Sequence, residues 1–273
     1  MGPFIDDYML QRFHLRLVVV SIAGLLTACN AEPSFGPGSR SDLTEVINEL
    51  SIVKGTIGMQ WSRPIRPTEP TVIPANCTYV AQVLSFACPS QTTLGVTVTQ
   101  RYTLLSARGE QQSAFDVAHT DAVQVHTVLA GRSYINGSDL AVDGQEFLTL
   151  SGLLSGKHTV VGTSSLHLNG ALVAANPLGG GTSTTQIDEF ILATVTQLVL
   201  QTFPSSITGS YTVPRSGTIR VENRRSVDGR PQTLSTAVFP YDGTDRLTAV
   251  ITRDGITHTC EIQLLSISYV VCL

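Results

Sequence analysis

Apolar and polar residues alternate along long stretches of this chain with a period of two, which predicts strands that bury one face. The alternation is clear in Leu94-Gly95-Val96-Thr97-Val98-Thr99, in Val123-Gln124-Val125-His126-Thr127-Val128 and from Thr159 to Leu172, with Gly, Asn and Ser turns between them. From Ile187 to Phe203 the apolar residues also fit a helical stripe, but the β-branched content of Ala193-Thr194-Val195-Thr196 favours a strand. Asp42-Leu43-Thr44-Glu45 carries a capping-box pattern and predicts one short helix ending before Gly55. Four prolines between Arg63 and Pro74 predict an extended loop. Gly179-Gly180-Gly181 lacks phosphate-binding spacing and reads as a linker, with a sub-division of the domain near residues 176–184.

Between Ser216 and Leu264, three Asp-Gly pairs at Asp228, Asp242 and Asp254 each predict a two-residue hairpin turn. Residue numbers facing each other across such a hairpin have a constant sum, and facing residues share a side of the sheet. Asp254-Gly255 therefore sets Ile251 opposite His258, Ala249 opposite Cys260 and Leu247 opposite Ile262, with Thr252–Thr257 and Arg246–Gln263 on the other face. The same rule at Asp242-Gly243 sets Val238 opposite Leu247. At Asp228-Gly229 it sets Ile219 opposite Val238 and Val221 opposite Thr236. Ile219, Val221, Val238, Leu247, Ala249, Ile251, Cys260, Ile262 and Leu264 then share one apolar face. The expected fold is all-β: an antiparallel meander forming a β-sandwich or a curved half-barrel, with at most one short N-terminal helix.

The N-terminus has a different pattern. Arg12 and Arg16 precede an apolar run, Leu17 to Leu26, that is too short for a helix of about 20 residues to cross a bilayer. The run ends in Leu26-Thr27-Ala28-Cys29, which resembles the lipobox of bacterial lipoproteins: an apolar residue, two small ones and the cysteine that takes the lipid. The resemblance implies a signal peptide over 1–28, a mature chain starting at Cys29 and attachment to a membrane through lipid on that thiol. Asp6 and Asp7 are out of place in such a leader, whereas a start at Met9 gives a conventional one. Asn30 stands where the enterobacterial sorting rule reads an Asp as retention at the inner membrane, which favours the outer membrane. Residues 29–41 are rich in Pro, Gly and Ser and read as a flexible tether, leaving 42–273 as the β-rich domain.

Removal of the leader leaves about 245 residues, enough for a substantial core. Charged residues make up only 14%, and the net charge is −4, so the chain has no electrostatic footprint for nucleic acid. Besides Cys29 the cysteines are Cys77, Cys88, Cys260 and Cys272, an even set suited to an oxidising compartment. Four cysteines allow three connectivities, and the two close pairs favour Cys77 with Cys88 and Cys260 with Cys272. The C-x-x-C spacing of structural zinc sites is absent from the sequence. The pattern Cys77 to Cys88-Pro89, then Leu148-Thr149-Leu150-Ser151-Gly152, then Ser216-Gly217-Thr218-Ile219 resembles uncharacterised β-rich lipoproteins of environmental bacteria, a resemblance that carries no known activity.

Sequence motifs for catalysis are missing: there is no G-x-S-x-G elbow, H-E-x-x-H, Walker A loop or Rossmann fingerprint. His119, His126, His158, His167 and His258 are scattered, and His258 is expected beside Ile251 as a core histidine. Asp139, Asp143 and Glu146 lack the every-second-residue spacing of a calcium loop and read as a solvated Asp-Gly turn. Asp188 and Glu189 are adjacent, so on a strand they point to opposite faces and read as surface residues. Trp61 is the only tryptophan, and no stacking platform stands out. The expected role is a non-enzymatic envelope protein, a binding or structural module with no cofactor or metal. The alternatives are a carrier of lipid or another small apolar ligand, with a cavity lined by Ile219, Val238, Ile251 and Ile262, and an envelope hydrolase whose site forms only in three dimensions.

Overall fold

The alternating segments become fourteen strands in a computed structural model that describes residues 73–135, 137–175, 182–200, 214–263 and 270–272. The leader, Cys29, the tether, the helix expected at Asp42, Trp61, the Gly179 run and Leu264 lie outside the described residues. The strands are β1 (Thr78–Val80), β2 (Ser85–Ala87), β3 (Gln91–Thr93), β4 (Val96–Ser106), β5 (Gln111–Gln112), β6 (Thr120–Ile135) and β7 (Ser138–Ser151). They continue with β8 (Thr159–Ala175), β9 (Thr182–Val199), β10 (Ser216–Val227), β11 (Thr233–Tyr241), β12 (Arg246–Arg253), β13 (Ile256–Gln263) and β14 (Val270–Cys272).

All of them belong to one antiparallel sheet, ordered β1-β2-β4-β6-β7-β8-β9-β10-β11-β12-β13-β14, with β3 and β5 as short flaps on β4. The sheet is open, and the described residues contain no second sheet to pack on it. A sheet this wide is beyond the roughly ten strands at which open sheets stay uncurled. Side chains on its inner face, such as Leu150, Val160, Leu198, Val221 and Phe239, are fully buried. The half-barrel form of the expectation therefore fits, and the two-sheet sandwich does not.

Strict alternation makes that inner face. On β7 every second residue from Ser138 to Leu150 is buried, and the residues between them face outward. β9 behaves likewise up to Val195, where a bulge intervenes: Gln197 takes a left-handed backbone (φ 46) and both neighbouring ladders shift register beside it. The extra residue restores Leu198 to the inner face. Gly162 on β8 lies beside this irregularity with φ 150, and a Cβ there would fall 2.0 Å from the carbonyl oxygen of Phe147. Gly162→Ala is expected to cost more than about 1 kcal/mol, read as a fall in the urea midpoint. An unchanged midpoint would contradict this close approach.

The hairpin derivation holds at one of the three Asp-Gly turns. Around Asp254-Gly255 the pairs Ile251–His258, Ala249–Cys260, Leu247–Ile262, Thr252–Thr257 and Arg246–Gln263 are those expected. On β11 the expectation fails. Ile219 stands opposite Phe239 rather than Val238, a shift of one residue, and Val238 stands opposite Val250 rather than Leu247, a shift of three. The first shift has a clear cause. The turn itself forms, with the Arg230 N–H donating to the Val227 carbonyl at 3.0 Å, but Pro231 follows and cannot donate to a ladder. Pairing resumes only at Thr233.

The second shift arises because Asp242 is not among the residues of positive φ, as Asp228 and Asp254 are. Its carboxylate instead accepts from the backbone N–H (2.9 Å) and hydroxyl (2.7 Å) of Thr244, giving a longer loop closed by an Asx turn. Both shifts are odd, so they cancel between β10 and β12 and invert β11 alone. Ala237 and Phe239 are buried, and Val238 faces outward.

Candidate functional site

The inner face is apolar at both ends and polar between. One core cluster joins Leu148, Leu150 and Val160 to Ile191, Ile219, Phe239, Ile251 and Ile262, and another gathers Val96, Leu140, Val142, Leu168 and Ile187. Between them, alternation points polar side chains inward. Glu146 on β7 is 3% exposed, Glu189 on β9 is 4% and Asn223 on β10 is 7%. Glu189 accepts a hydrogen bond from Asn223 Nδ2 at 2.8 Å, and Arg225 stands directly across the ladder from Glu189. Ser235 is registered opposite both Asn223 and Arg253. Glu146, Arg225, Ser235 and Arg253 are each engaged by a neighbour. Burial, and then the negative charge of Glu146, push the phenol of Tyr102 up to about 12.

This layer corrects two expectations. Asp143-Gly144 is not a turn: Asp139, Asp143 and Glu146 all lie within β7. Asp139 pairs with Arg132, and Glu146 is buried. Asp188 and Glu189 do face opposite ways, but only Asp188 is at the surface. A polar residue at an inward position, as in Ile187-x-Glu189-x-Ile191, was the sequence signal for the layer.

Two buried carboxylates invite comparison with an acid–base pair. Glu146 and Glu189 are separated by two strand spacings and four residues along the strands, about 16 Å over the sheet. Glycosidase carboxyls stand about 5 to 9.5 Å apart. Within the layer Asn223 Nδ2 satisfies Glu189, while Asn223 Oδ1 is buried without a hydrogen-bond partner among the described residues. One-sided removal of a buried charged partner is costly.

The outer face carries ion pairs beside exposed apolar side chains such as Phe147, Phe190, Leu234 and Val250. Arg132 binds Asp139, with Nη2 at 2.8 Å from Oδ2. Arg220 meets Glu222 and Arg246 meets Glu261, each at 3.1 Å. His167 Nε2 lies 2.7 Å from Asp188 Oδ1. His126 stacks on Phe147 with ring centroids 3.9 Å apart, and Phe190 meets His167 edge-on. His126 and His167 are again two strands and four residues apart, about 16 Å, so they do not share a ligand. His119 pairs with Asp116 at the surface, and His258 stands opposite Ile251 as expected but is half-buried rather than a core histidine. Among the described residues no three His, Cys, Asp or Glu side chains gather as metal ligands.

Two histidines give a pH dependence. Burial holds the His158 imidazole below its usual 6.5, and burial followed by the Arg101 charge does the same for His126. The unfolded chain then binds protons that the folded chain refuses, so stability is complete above about pH 6.5 and declines as the pH falls below it. The urea midpoint is expected to drop between pH 7.5 and pH 5, with a shallower slope in His158→Asn. A midpoint that rises over that interval would contradict the assignment. Asp116, Asp139 and Asp242, held below the usual carboxylate range mainly by side-chain hydrogen bonds, lose their contribution only at lower pH.

Of the cysteines singled out in the sequence, Cys77 and Cys88 are joined by a disulfide that closes the β1–β2 hairpin. Cys260 is disulfide-bonded, and Cys272 stands opposite it on the neighbouring strand. The side chains expected to line a carrier cavity are dispersed: Ile219, Ile251 and Ile262 fill the core, and Val238 lies on the other face. No protein-family model, no curated protein and no solved structure matches this chain.

Proposed function

We propose that this chain is an envelope lipoprotein, anchored to a membrane by lipid on Cys29, with the outer membrane favoured over the inner. Its β domain serves as a non-enzymatic binding or structural module whose partner is another envelope component. The observation that carries the reading is the ordered leader of Arg12, Arg16, the Leu17–Leu26 run and Leu26-Thr27-Ala28-Cys29.

The fold supports this reading in two ways. The Cys77–Cys88 bond suits an oxidising compartment. The exposed face of the sheet carries the Arg132–Asp139, His167–Asp188, Arg220–Glu222 and Arg246–Glu261 pairs, whereas a sheet embedded in lipid turns its apolar residues outward. In this reading membrane attachment is through the lipid on Cys29. The test is fractionation of cells producing the full chain and its Cys29→Ser variant: the native chain is expected with the membranes and the variant in the soluble fraction. Equal membrane association of the two would refute the anchor.

A further inference from the structure

An open sheet has two edges, and here each ends in a strand of three residues beside a bonded cysteine. At one edge β1 is clasped to β2 by Cys77–Cys88. At the other, β14 pairs with β13 through Cys260–Cys272, Glu261–Val271 and Ile262–Val270, and Cys260 is disulfide-bonded. We propose that the bond at Cys260 is a redox-sensitive cap: while it is formed β14 covers the edge, and once it is reduced β13 pairs with β13 of a second copy of this chain.

The two edges are not equivalent. β2 is itself only three residues long, so opening its clasp uncovers little backbone. β13 has eight residues, and β14 pairs with three of them. Natural edge strands are guarded by Lys, Pro, bulges or covering segments. β13, Ile-Thr-His-Thr-Cys-Glu-Ile-Gln, has neither Lys nor Pro and a single carboxylate, Glu261. A three-residue strand has little pairing of its own, so the bond at Cys260, made to Cys272 as the sequence spacing predicts, is what keeps it seated in this proposal.

The strand's own pattern points to a second copy as the occupant. Ile256, His258, Cys260 and Ile262 share the inner face and Thr257, Thr259 and Glu261 the outer. This order is nearly symmetric about Thr259. An antiparallel pairing centred there sets Ile256 against Ile262 of the second copy, inner face with inner face. It also covers Ile256, which is 64% exposed in the single chain. The switch needs a dithiol reductant. The S–S bond takes two electrons and two protons to give two thiols, and the reductant's own pair of thiols closes into a disulfide.

The proposal is independent of the lipid anchor and is tested on the full chain in dilute detergent by light scattering. The oxidised protein is expected to be a monomer, and its protein mass to double after dithiothreitol has freed Cys260, as followed by thiol titration. The Cys77→Ser/Cys88→Ser variant is expected to behave the same way. Ile256→Lys, at an exposed position, should leave the oxidised monomer intact and abolish the doubling. The proposal is overturned if the reduced chain stays monomeric or if the oxidised chain already associates. It also fails if Ile256→Lys associates as readily as the native chain, or if dithiothreitol cannot reduce the bond in the folded protein.

Discussion

Phe239→Ala is expected to lower stability by about 3 to 5 kcal/mol, while Val238→Ala, its immediate neighbour, costs less than about 1 kcal/mol. Phe239 is the largest of the fully buried side chains among the described residues and belongs to the cluster that joins Ile219, Val221, Ala237, Leu247 and Ala249. Truncation removes a ring from a dry, close-packed site and leaves a cavity. Val238 faces outward, opposite Arg220 on one side and Val250 on the other. For a domain of this size the larger loss lowers the melting temperature by on the order of 10 °C. Calorimetry of the two variants decides the register of β11. The reverse ranking would restore the simple hairpin sums and place Val238 in the core.

That pair of residues shows where sequence reasoning reached and where it stopped. Two-residue alternation identified β4, β6 and β8 and the inner face of β10, β12 and β13, because burial on one side alone imposes it. Turn chemistry fixed the register where both turn residues adopt positive φ and no proline follows, as at Asp254-Gly255. It misled on β11 because Asp-Gly does not guarantee a tight ladder. Pro231 delays pairing after one turn, and Asp242 uses its carboxylate to build a different loop at the next. The helix-like spacing of Ile187, Ile191, Val195 and Leu198 also has a cause. Two even steps of four residues on one face are followed by an odd one of three at the Gln197 bulge, which imitates a stripe of period 3.6.

The buried polar layer was hidden for another reason. Glu146 was read with Asp143-Gly144 as part of a turn, when the surrounding alternation places it within a strand and facing inward. The Cys77–Cys88 pairing was legible from spacing, since the members of a hairpin of that length stand opposite each other.

Cys29→Ser is expected to have the largest effect of any single change on where the protein resides, shifting it from the membrane to the soluble fraction. The outer face of the sheet carries ion pairs such as Arg132–Asp139 and Arg246–Glu261. A single acyl chain gives only marginal, reversible binding, so stable attachment requires at least two. The same substitution should leave the urea midpoint of the β domain unchanged, because residues 29–41 read as a tether rather than as part of the core.

The most direct measurement is mass spectrometry of the N-terminal peptide of the protein purified from membranes. The account predicts a chain that begins at Cys29 and carries the added mass of at least two acyl chains on that residue. An unacylated chain that begins elsewhere, or one that retains its leader, would contradict it.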